Sequence, residues 1–138
     1  MAFARAGARL LLGARREDRL GAVALEAKAA GASEVGYHPL DVASTPSVDA
    51  FVKWVKESTP RVDVLVNNAG GALGLEPVAE GKDADWETMM QTNVLGVLRV
   101  TRAVLPLMLP YRAGTIINIG SIRSEERRVG KEGRSRWS

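Results

Sequence analysis

Side chains that could bind or transform a ligand stand in four places along the chain, each directly after a short apolar run. The four groups are Arg15-Arg16, Asp41-Val42, Asn67-Asn68-Ala69-Gly70 and Gly120-Ser121. Guanidinium groups bind phosphate, carboxylate and amide groups form directed hydrogen bonds, and a serine hydroxyl can hold a polar substrate oxygen. A glycine lets the backbone approach a flat ligand closely. Together the four groups predict one extended binding edge.

The apolar runs that precede these groups alternate with helical patterns, which is typical of a parallel α/β sheet. We predict strands over residues 8–13, 34–37, 62–66 and 115–119. Helices are predicted over residues 1–6 and 17–30, from residue 45 onward, and from residue 83 or 85 to residue 109. Ligands of such sheets bind outside the carboxyl ends of the strands, so the four groups are expected at one edge.

Local signals support the helix that starts at Thr45. This residue is a predicted N-cap, and Pro46 suits the first helical turn. Apolar residues then follow at positions i, i+3, i+4 and i+7, which predicts one buried face made of Val48, Phe51, Val52 and Val55. The later long helix has two candidate caps, Asp83 and Asp85, and we expect Pro106 or Pro110 to break it near its end.

Composition excludes several classes of site. The chain has no cysteine and one histidine, His38, so thiolate or histidine metal clusters are not expected. We interpret His38 as a surface residue at a strand end, and Trp54, Met89 and Met90 as packing residues. No apolar run reaches the roughly 20 residues of a membrane-spanning helix, and we expect a cytoplasmic protein with no membrane partner.

The positive charge of the chain lies entirely in its last 16 residues. Residues 123–138 hold six of the 19 basic and three of the 16 acidic residues, which leaves 13 of each in residues 1–122. The text RSEERRVGKEGRSRWS resembles a translated sequencing adapter, and a natural disordered basic tail is the alternative. We therefore divide the chain into a folded part, 1–122, and a non-native or disordered tail, 123–138.

The segment LVNNAG, the pair Asp41-Val42, Asn93 in the long helix and the segment IINIGS resemble landmarks of the short-chain dehydrogenase/reductase family, in the same order and at suitable spacings. The resemblance covers about residues 1 to 122. It implies a Rossmann-type doubly wound parallel sheet, here truncated. It also implies an oxidoreductase that transfers hydride between NADP(H) and a secondary alcohol or ketone.

The resemblance assigns roles to the binding edge. Residues 67–70 would pack beside the adenosine and its ribose, and Asp41 would hold the adenine amino group with Val42 beside it. Arg15 and Arg16 would accommodate the 2′-phosphate of NADP(H), because arginine at this place replaces the acidic residue that binds the ribose of NAD. The alternatives are ordinary turn residues and two solvated arginines at a helix start.

Two further residues match catalytic positions of the family. Ser121 corresponds to the serine that hydrogen-bonds the reacting oxygen of the substrate, and Asn93 corresponds to the asparagine that holds a proton-relay water. A turn serine and a satisfied buried amide are the alternatives. Because asparagine is mildly unfavourable inside a helix, we expect a compensating interaction at Asn93.

Two family motifs are missing from the sequence. The turn T-G-x-x-x-G-x-G is expected upstream, which would make Met1 an internal methionine, and no Tyr-x-x-x-Lys follows Ser121. The tyrosine is the family's general acid/base, so we expect this chain to be catalytically silent. The missing first strand would lie at the centre of the sheet. We therefore expect an isolated chain that is poorly soluble or molten.

The stretches GALGLEP and DWETMMQTNVLG resemble the 3-hydroxy acid (serine-type) branch of the family. The leading hypothesis is a fragment of an NADP-dependent alcohol or hydroxy-acid dehydrogenase whose parent is a homodimer or homotetramer. A non-catalytic nucleotide-binding or regulatory relative is the alternative. Nucleic-acid binding through the basic tail is a third hypothesis, which the neutral charge of residues 1–122 disfavours.

Overall fold

The computed structural model describes residues 1–71 and 76–120. Its helices are α1 (Ala2–Arg5), α2 (Glu17–Ala30), α3 (Thr45–Ser58), α4 (Asp83–Met89), a π-helix (Met90–Leu95) and α5 (Gly96–Val104). Its strands are β1 (Arg9–Ala14), β2 (Glu34–Pro39), β3 (Val64–Asn67) and β4 (Thr115–Asn118). Short 3₁₀ turns lie at Val78–Glu80, Leu105–Leu107 and Leu109–Tyr111.

The strands form two parallel pairs, which confirms the predicted parallel α/β class. β1 pairs with β2 from Arg9–Glu34 to Ala14–Pro39, and β3 pairs with β4 from Val64–Thr115 to Asn67–Asn118. In the part of the chain that the structure describes, the two pairs are separate sheets. Two-stranded sheets are at best marginally stable alone, so their stability depends on the helices packed against them.

One apolar cluster contacts both strand pairs. The predicted face of α3 is buried, since Val48, Phe51, Val52 and Val55 are only 1–7% exposed. It packs with Val100 and Val104 of α5 and with Leu107 and Met108 beyond it. Partly buried residues from both sheets, Leu11 and Leu65, contact this cluster. Both sheets therefore share one core although no ladder hydrogen bonds connect them.

The start of α3 differs from its prediction by one residue. Ser44, and not Thr45, is the N-cap, because the Oγ of Ser44 accepts a hydrogen bond from the backbone N–H of Ser47 (3.2 Å). Thr45 and Pro46 occupy the first two helical positions, where the missing N–H of proline costs no helical hydrogen bond.

The long helical stretch is less regular than predicted. Lys82 precedes α4 without a side-chain capping bond, so Asp83 begins the helix and neither aspartate caps it. A π-helical turn separates α4 from α5. Helix α5 ends at Val104, before two 3₁₀ turns that contain Pro106 and Pro110. Of the described helices, none is long and apolar enough to cross a bilayer.

Strands β3 and β4 leave apolar side chains exposed. Val64, Val66 and Ile116 are each more than one third exposed. Among the described helices only α5 packs closely on this pair, whereas α2 and α3 both contact β2. The apolar side chains of β3 and β4 therefore remain accessible in this part of the chain.

Candidate functional site

The arginine pair lies at the carboxyl end of β1, beside the end of β2. Ala14 pairs with Pro39, and the backbone N–H of Leu40 donates to the carbonyl of Ala14 (2.9 Å). Arg15 and Arg16 follow immediately and are exposed. Within residues 1–71 and 76–120, no acidic side chain forms a salt bridge with either guanidinium. Two guanidinium groups that form no salt bridge among these residues therefore mark this corner of the sheet, a fitting site for an anion.

Asp41 is held in a compact turn after β2. Its backbone N–H donates to the Oγ of Ser47 (2.8 Å), and its Oδ1 accepts the backbone N–H of Ala43 (3.0 Å). Its carbonyl accepts the N–H of Ser44, the capping residue of α3. These bonds orient the carboxylate while its Oδ2 has no hydrogen-bond partner among the described residues. Oδ2 can therefore accept a hydrogen bond from a ligand amino group.

Asn67, at the end of β3, is the buried polar residue of the site, with 7% exposure. Its side-chain Nδ2 donates to the Oδ1 of Asn118 (2.9 Å) on β4 and to the Oγ1 of Thr101 (3.2 Å) on α5. Its carbonyl accepts the N–H of Ile119 (3.0 Å). Asn67 thus joins two strands and a helix, which is the role of a residue that fixes the strand ends.

The loop after Asn67 opens to solvent. Asn68, Ala69 and Gly70 are exposed, and Gly70 has φ +151°, a conformation that other residues rarely adopt. A Cβ at this position would lie 2.6 Å from the Oδ1 of Asn93. A glycine is therefore required at position 70 for two reasons: its backbone conformation, and the close contact with Asn93 of the π-helix.

Asn93 binds this loop through its side chain. Its Nδ2 donates to the carbonyl of Gly71 (2.9 Å), and its Oδ1 accepts the N–H of Gly71 (3.1 Å). This pair of hydrogen bonds is the compensation expected for an asparagine inside a helix. The residue lies in the π-helix, a geometry that often occurs at functional sites. The water-holding role that the resemblance assigns to Asn93 stays a prediction.

Val42 is buried against the long helix. A Cβ at Gly96 would lie 2.6 Å from the Cγ2 of Val42, so the glycine allows this close approach. The guanidinium of Arg99 donates to the carbonyl of Val42 (3.2 Å). Sequence reasoning missed Gly96 and Arg99, as well as Thr101 and Asn118. A glycine in the interior of a helical pattern was the available signal for a packing site at Gly96.

Two of the four predicted groups follow the paired strands β1 and β2, and the third follows β3 in the other sheet. The Arg15-Arg16 corner adjoins the turn at Asp41 through the β1–β2 register. Val42 contacts α5, which continues the π-helix that binds the loop after Asn67 through Asn93. Ser121, the fourth group, lies outside the described residues. Its position relative to the others stays a prediction.

His38 is a packing residue rather than part of this edge. Its ring stacks on Trp54 at 5.4 Å and meets Phe51 edge-on at 6.0 Å. Its Nδ1 lies 2.8 Å from the carbonyl of Pro39. Among the described residues, no group of three histidine or acidic side chains could hold a metal ion. Of the predicted packing residues, Trp54 is partly buried in the core, whereas Met90 is 53% exposed.

Comparison with known proteins gives consistent matches. The sequence model of the family described as short chain dehydrogenase matches residues 1–132. Sulfoacetaldehyde reductase 2 of Chromohalobacter salexigens is 40% identical over 126 residues, which cover 89% of this chain and 48% of that protein. NADP-dependent 3-hydroxy acid dehydrogenase YdfG of Salmonella typhi is 40% identical over 119 residues, which cover 86% of this chain and 46% of that protein.

The solved structures agree. Serine dehydrogenase in a closed form complexed with NADP⁺ superposes with a TM-score of 0.77 at 38% identity, covering 87% of this chain and 47% of that chain. The predicted Rossmann-type fold is thereby confirmed. The chain spans about half the length of the curated relatives that it matches.

Proposed function

Because the chain belongs to the short-chain dehydrogenase family, we propose that it is part of an NADP(H)-dependent oxidoreductase acting on a secondary alcohol or ketone. The observation that carries this proposal is the pair of exposed guanidinium groups at the end of β1, Arg15 and Arg16, which form no salt bridge among the described residues. An alanine precedes them, so no acidic residue occupies the place that would favour the 2′-hydroxyl of NAD.

The donor set of the edge fits the adenosine half of the cofactor. Arg15 and Arg16 would bind the 2′-phosphate through charge-assisted hydrogen bonds, and the Oδ2 of Asp41 would accept the adenine amino group. The turn at Gly70, where a side chain would collide with Asn93, leaves bare backbone beside the ribose. The bound cofactor would supply or accept the hydride, while these residues bind and orient it.

The protein groups of the chemical step are only partly present. We propose that Ser121 hydrogen-bonds the reacting oxygen of the substrate, and that Asn93 fixes the loop of residues 68–71 that borders it. The sequence contains no Tyr-x-x-x-Lys to serve as general acid/base. We propose that residues 1–138 alone do not transfer hydride. They would belong to a longer enzyme, which we call the full-length enzyme.

The substrate class proposed is a small hydroxy acid or its keto form. The resemblance of GALGLEP and DWETMMQTNVLG to the serine-type branch supports it. So does the similarity to proteins called 3-hydroxy acid dehydrogenase and serine dehydrogenase. We also propose a homodimeric or homotetrameric enzyme, since apolar residues on the long helix are exposed, including Val94 and Leu98 (60%).

One sequence observation favours a second candidate. A nucleotide-binding or regulatory relative would keep the residues of the cofactor edge and lack the general acid/base, as these 138 residues do. Genomic DNA on both sides of the reading frame distinguishes the two, because a Tyr-x-x-x-Lys in the extended frame favours catalysis.

The proposed activity is tested on the full-length enzyme expressed from that extended frame. We expect NADPH to be oxidised, seen as falling absorbance, when short 3-keto acids or simple ketones are added. Residues 1–138 alone, assayed in parallel, should give no turnover above the buffer rate. A full-length enzyme that contains Tyr-x-x-x-Lys and binds NADPH, but reduces no carbonyl compound, would contradict the proposed reaction.

A further inference from the structure

Arg99 connects two parts of the site that are far apart in sequence. Its Nη1 donates both to the carbonyl of Val42 (3.2 Å) and to the carbonyl of Gln91 (3.2 Å), while its Nη2 donates to the side-chain Oε1 of Gln91 (2.7 Å). Val42 belongs to the turn after β2, and Gln91 belongs to the π-helix that carries Asn93. One guanidinium therefore spans the turn and the helix.

The hydrogen bonds of Arg99 hold the turn after β2 and the π-helix in a fixed relative position. All three acceptors are neutral oxygens, and within the described part of the chain Arg99 forms no salt bridge. The planar fork of arginine directs five donors in fixed directions, whereas the ammonium of lysine has three donors that rotate on a flexible stem. Gly96 allows Val42 to approach the helix closely, because a Cβ at this position would lie 2.6 Å from Val42 and 3.3 Å from the carbonyl of Gln91.

The π-helix explains why such a donor is useful. A π-helical turn interrupts the regular α-helical hydrogen-bond ladder, so its carbonyl groups benefit from a donor outside the ladder. Arg99 supplies that donor to Gln91, two residues before Asn93. Asn93 in turn holds both backbone groups of Gly71. The backbone of the π-helix thus joins the hydrogen bonds that link Val42 to Gln91 through Arg99 with those that link Asn93 to Gly71.

We infer that Arg99 is a positioning residue that couples the adenine end of the cofactor site to the loop held by Asn93. The inference rests on the proposed function, since it takes the turn at Asp41-Val42 to be where adenine binds. A ligand that immobilises this turn steadies the carbonyl of Val42, and through Arg99 it steadies the π-helix and the Asn93–Gly71 pair. Arg99 itself need not touch the cofactor.

The test uses adenosine 2′,5′-bisphosphate, which has the adenine and the 2′-phosphate but no nicotinamide. In the full-length enzyme, saturation with this probe should slow amide hydrogen exchange of Gly71, measured by NMR. Typical coupling between sites corresponds to about 5–150-fold, so we expect a slowing of about fivefold or more. The measured quantity is the ratio of the Gly71 exchange rates without and with the probe.

Arg99→Met should bring this ratio close to one while the probe still binds. Arg102→Met is the matched control, because Arg102 lies on the same helix, is exposed and has no hydrogen bond within residues 1–71 and 76–120. It should keep the wild-type ratio. A merely structural Arg99 would lower the melting temperature and leave the ratio unchanged, which would overturn the inference.

A second pair of variants keeps the test independent of whether Arg99→Met folds. Gln91→Leu removes the acceptor at 2.7 Å and should reduce the ratio, whereas Gln91→Glu retains an acceptor and should preserve it. A Gln91→Leu enzyme with the wild-type ratio would contradict the coupling through Arg99. Failure of the probe to bind the wild-type enzyme would instead overturn the proposed NADP(H) site, and this inference with it.

Discussion

Replacing both Arg15 and Arg16 by alanine in the full-length enzyme should raise the KM for NADPH about 100-fold or more and leave the KM for NADH nearly unchanged. Hydrogen bonds to charged groups contribute about 1.5–3 kcal/mol each, and every 1.4 kcal/mol is about tenfold in affinity. NADH lacks the 2′-phosphate, so the two arginines have little to bind in it. The single variants Arg15→Ala and Arg16→Ala show how much each guanidinium group contributes to the change in the KM for NADPH.

Arg5→Ala is the control for this double substitution. Arg5 is also exposed, but it lies in α1, before the amino end of β1. Its removal changes the charge of the protein without changing the proposed phosphate site. If NADPH and NADH binding weaken in parallel in the double variant, the arginines do not recognise the 2′-phosphate and the assignment of NADP(H) is wrong.

Gly70→Ala should reduce kcat/KM by about 10- to 100-fold and lower the stability of the full-length enzyme. Two costs add at this position. The backbone, at φ +151°, lies in a region that costs other residues about 1–3 kcal/mol, and the new Cβ would lie 2.6 Å from the Oδ1 of Asn93. Relief of that contact would displace either the loop or the π-helix.

The neighbouring glycine provides the matched control. A Cβ at Gly71 meets no atom of residues 1–71 and 76–120 within 4 Å, so Gly71→Ala should keep activity and stability near wild type. Asn93→Ala in the Gly70→Ala background removes the colliding oxygen and leaves the backbone cost, so the two substitutions should be non-additive. Equal effects of Gly70→Ala and Gly71→Ala on kcat/KM and on urea unfolding would show that the close approach has no consequence.

The site combines two kinds of residue with different tasks. Asn67, Asn93 and Arg99 direct their side-chain hydrogen bonds to other parts of the chain. Arg15 and Arg16 remain without salt-bridge partners in the described residues. Supporting residues that are themselves fixed by hydrogen bonds keep a site in its binding geometry before the ligand arrives. We therefore assign ligand contact mainly to the second kind.

Much of the fold could be predicted because its signals are local. Helix α2 has the predicted bounds, Glu17–Ala30, and the buried face of α3 has the predicted four residues. Hydrophobic periodicity and glycine at helix ends depend on neighbours within a few positions. The order of strand, polar group and helix then follows from the parallel α/β pattern.

The missed features all depend on residues distant in sequence. Arg99 and Val42 are 57 positions apart, and Asn93 and Gly71 are 22 apart. No local pattern indicates that an arginine on a helix will bind a carbonyl in the turn after a strand. Nor does one indicate that the same helical stretch will contain a π-helical turn. The exposure of β3 and β4 does not follow from their apolar sequences either, since burial depends on which helices pack there.

A crystal structure of the full-length enzyme with NADP⁺ would show whether Arg15, Arg16 and Asp41 bind the adenosine half of the cofactor. We expect the 2′-phosphate within hydrogen-bond distance of Arg15 or Arg16, and the adenine amino group within hydrogen-bond distance of the carboxylate of Asp41. An ordered adenosine bound elsewhere on the enzyme, with these three side chains facing solvent, would contradict the proposed NADP(H) site.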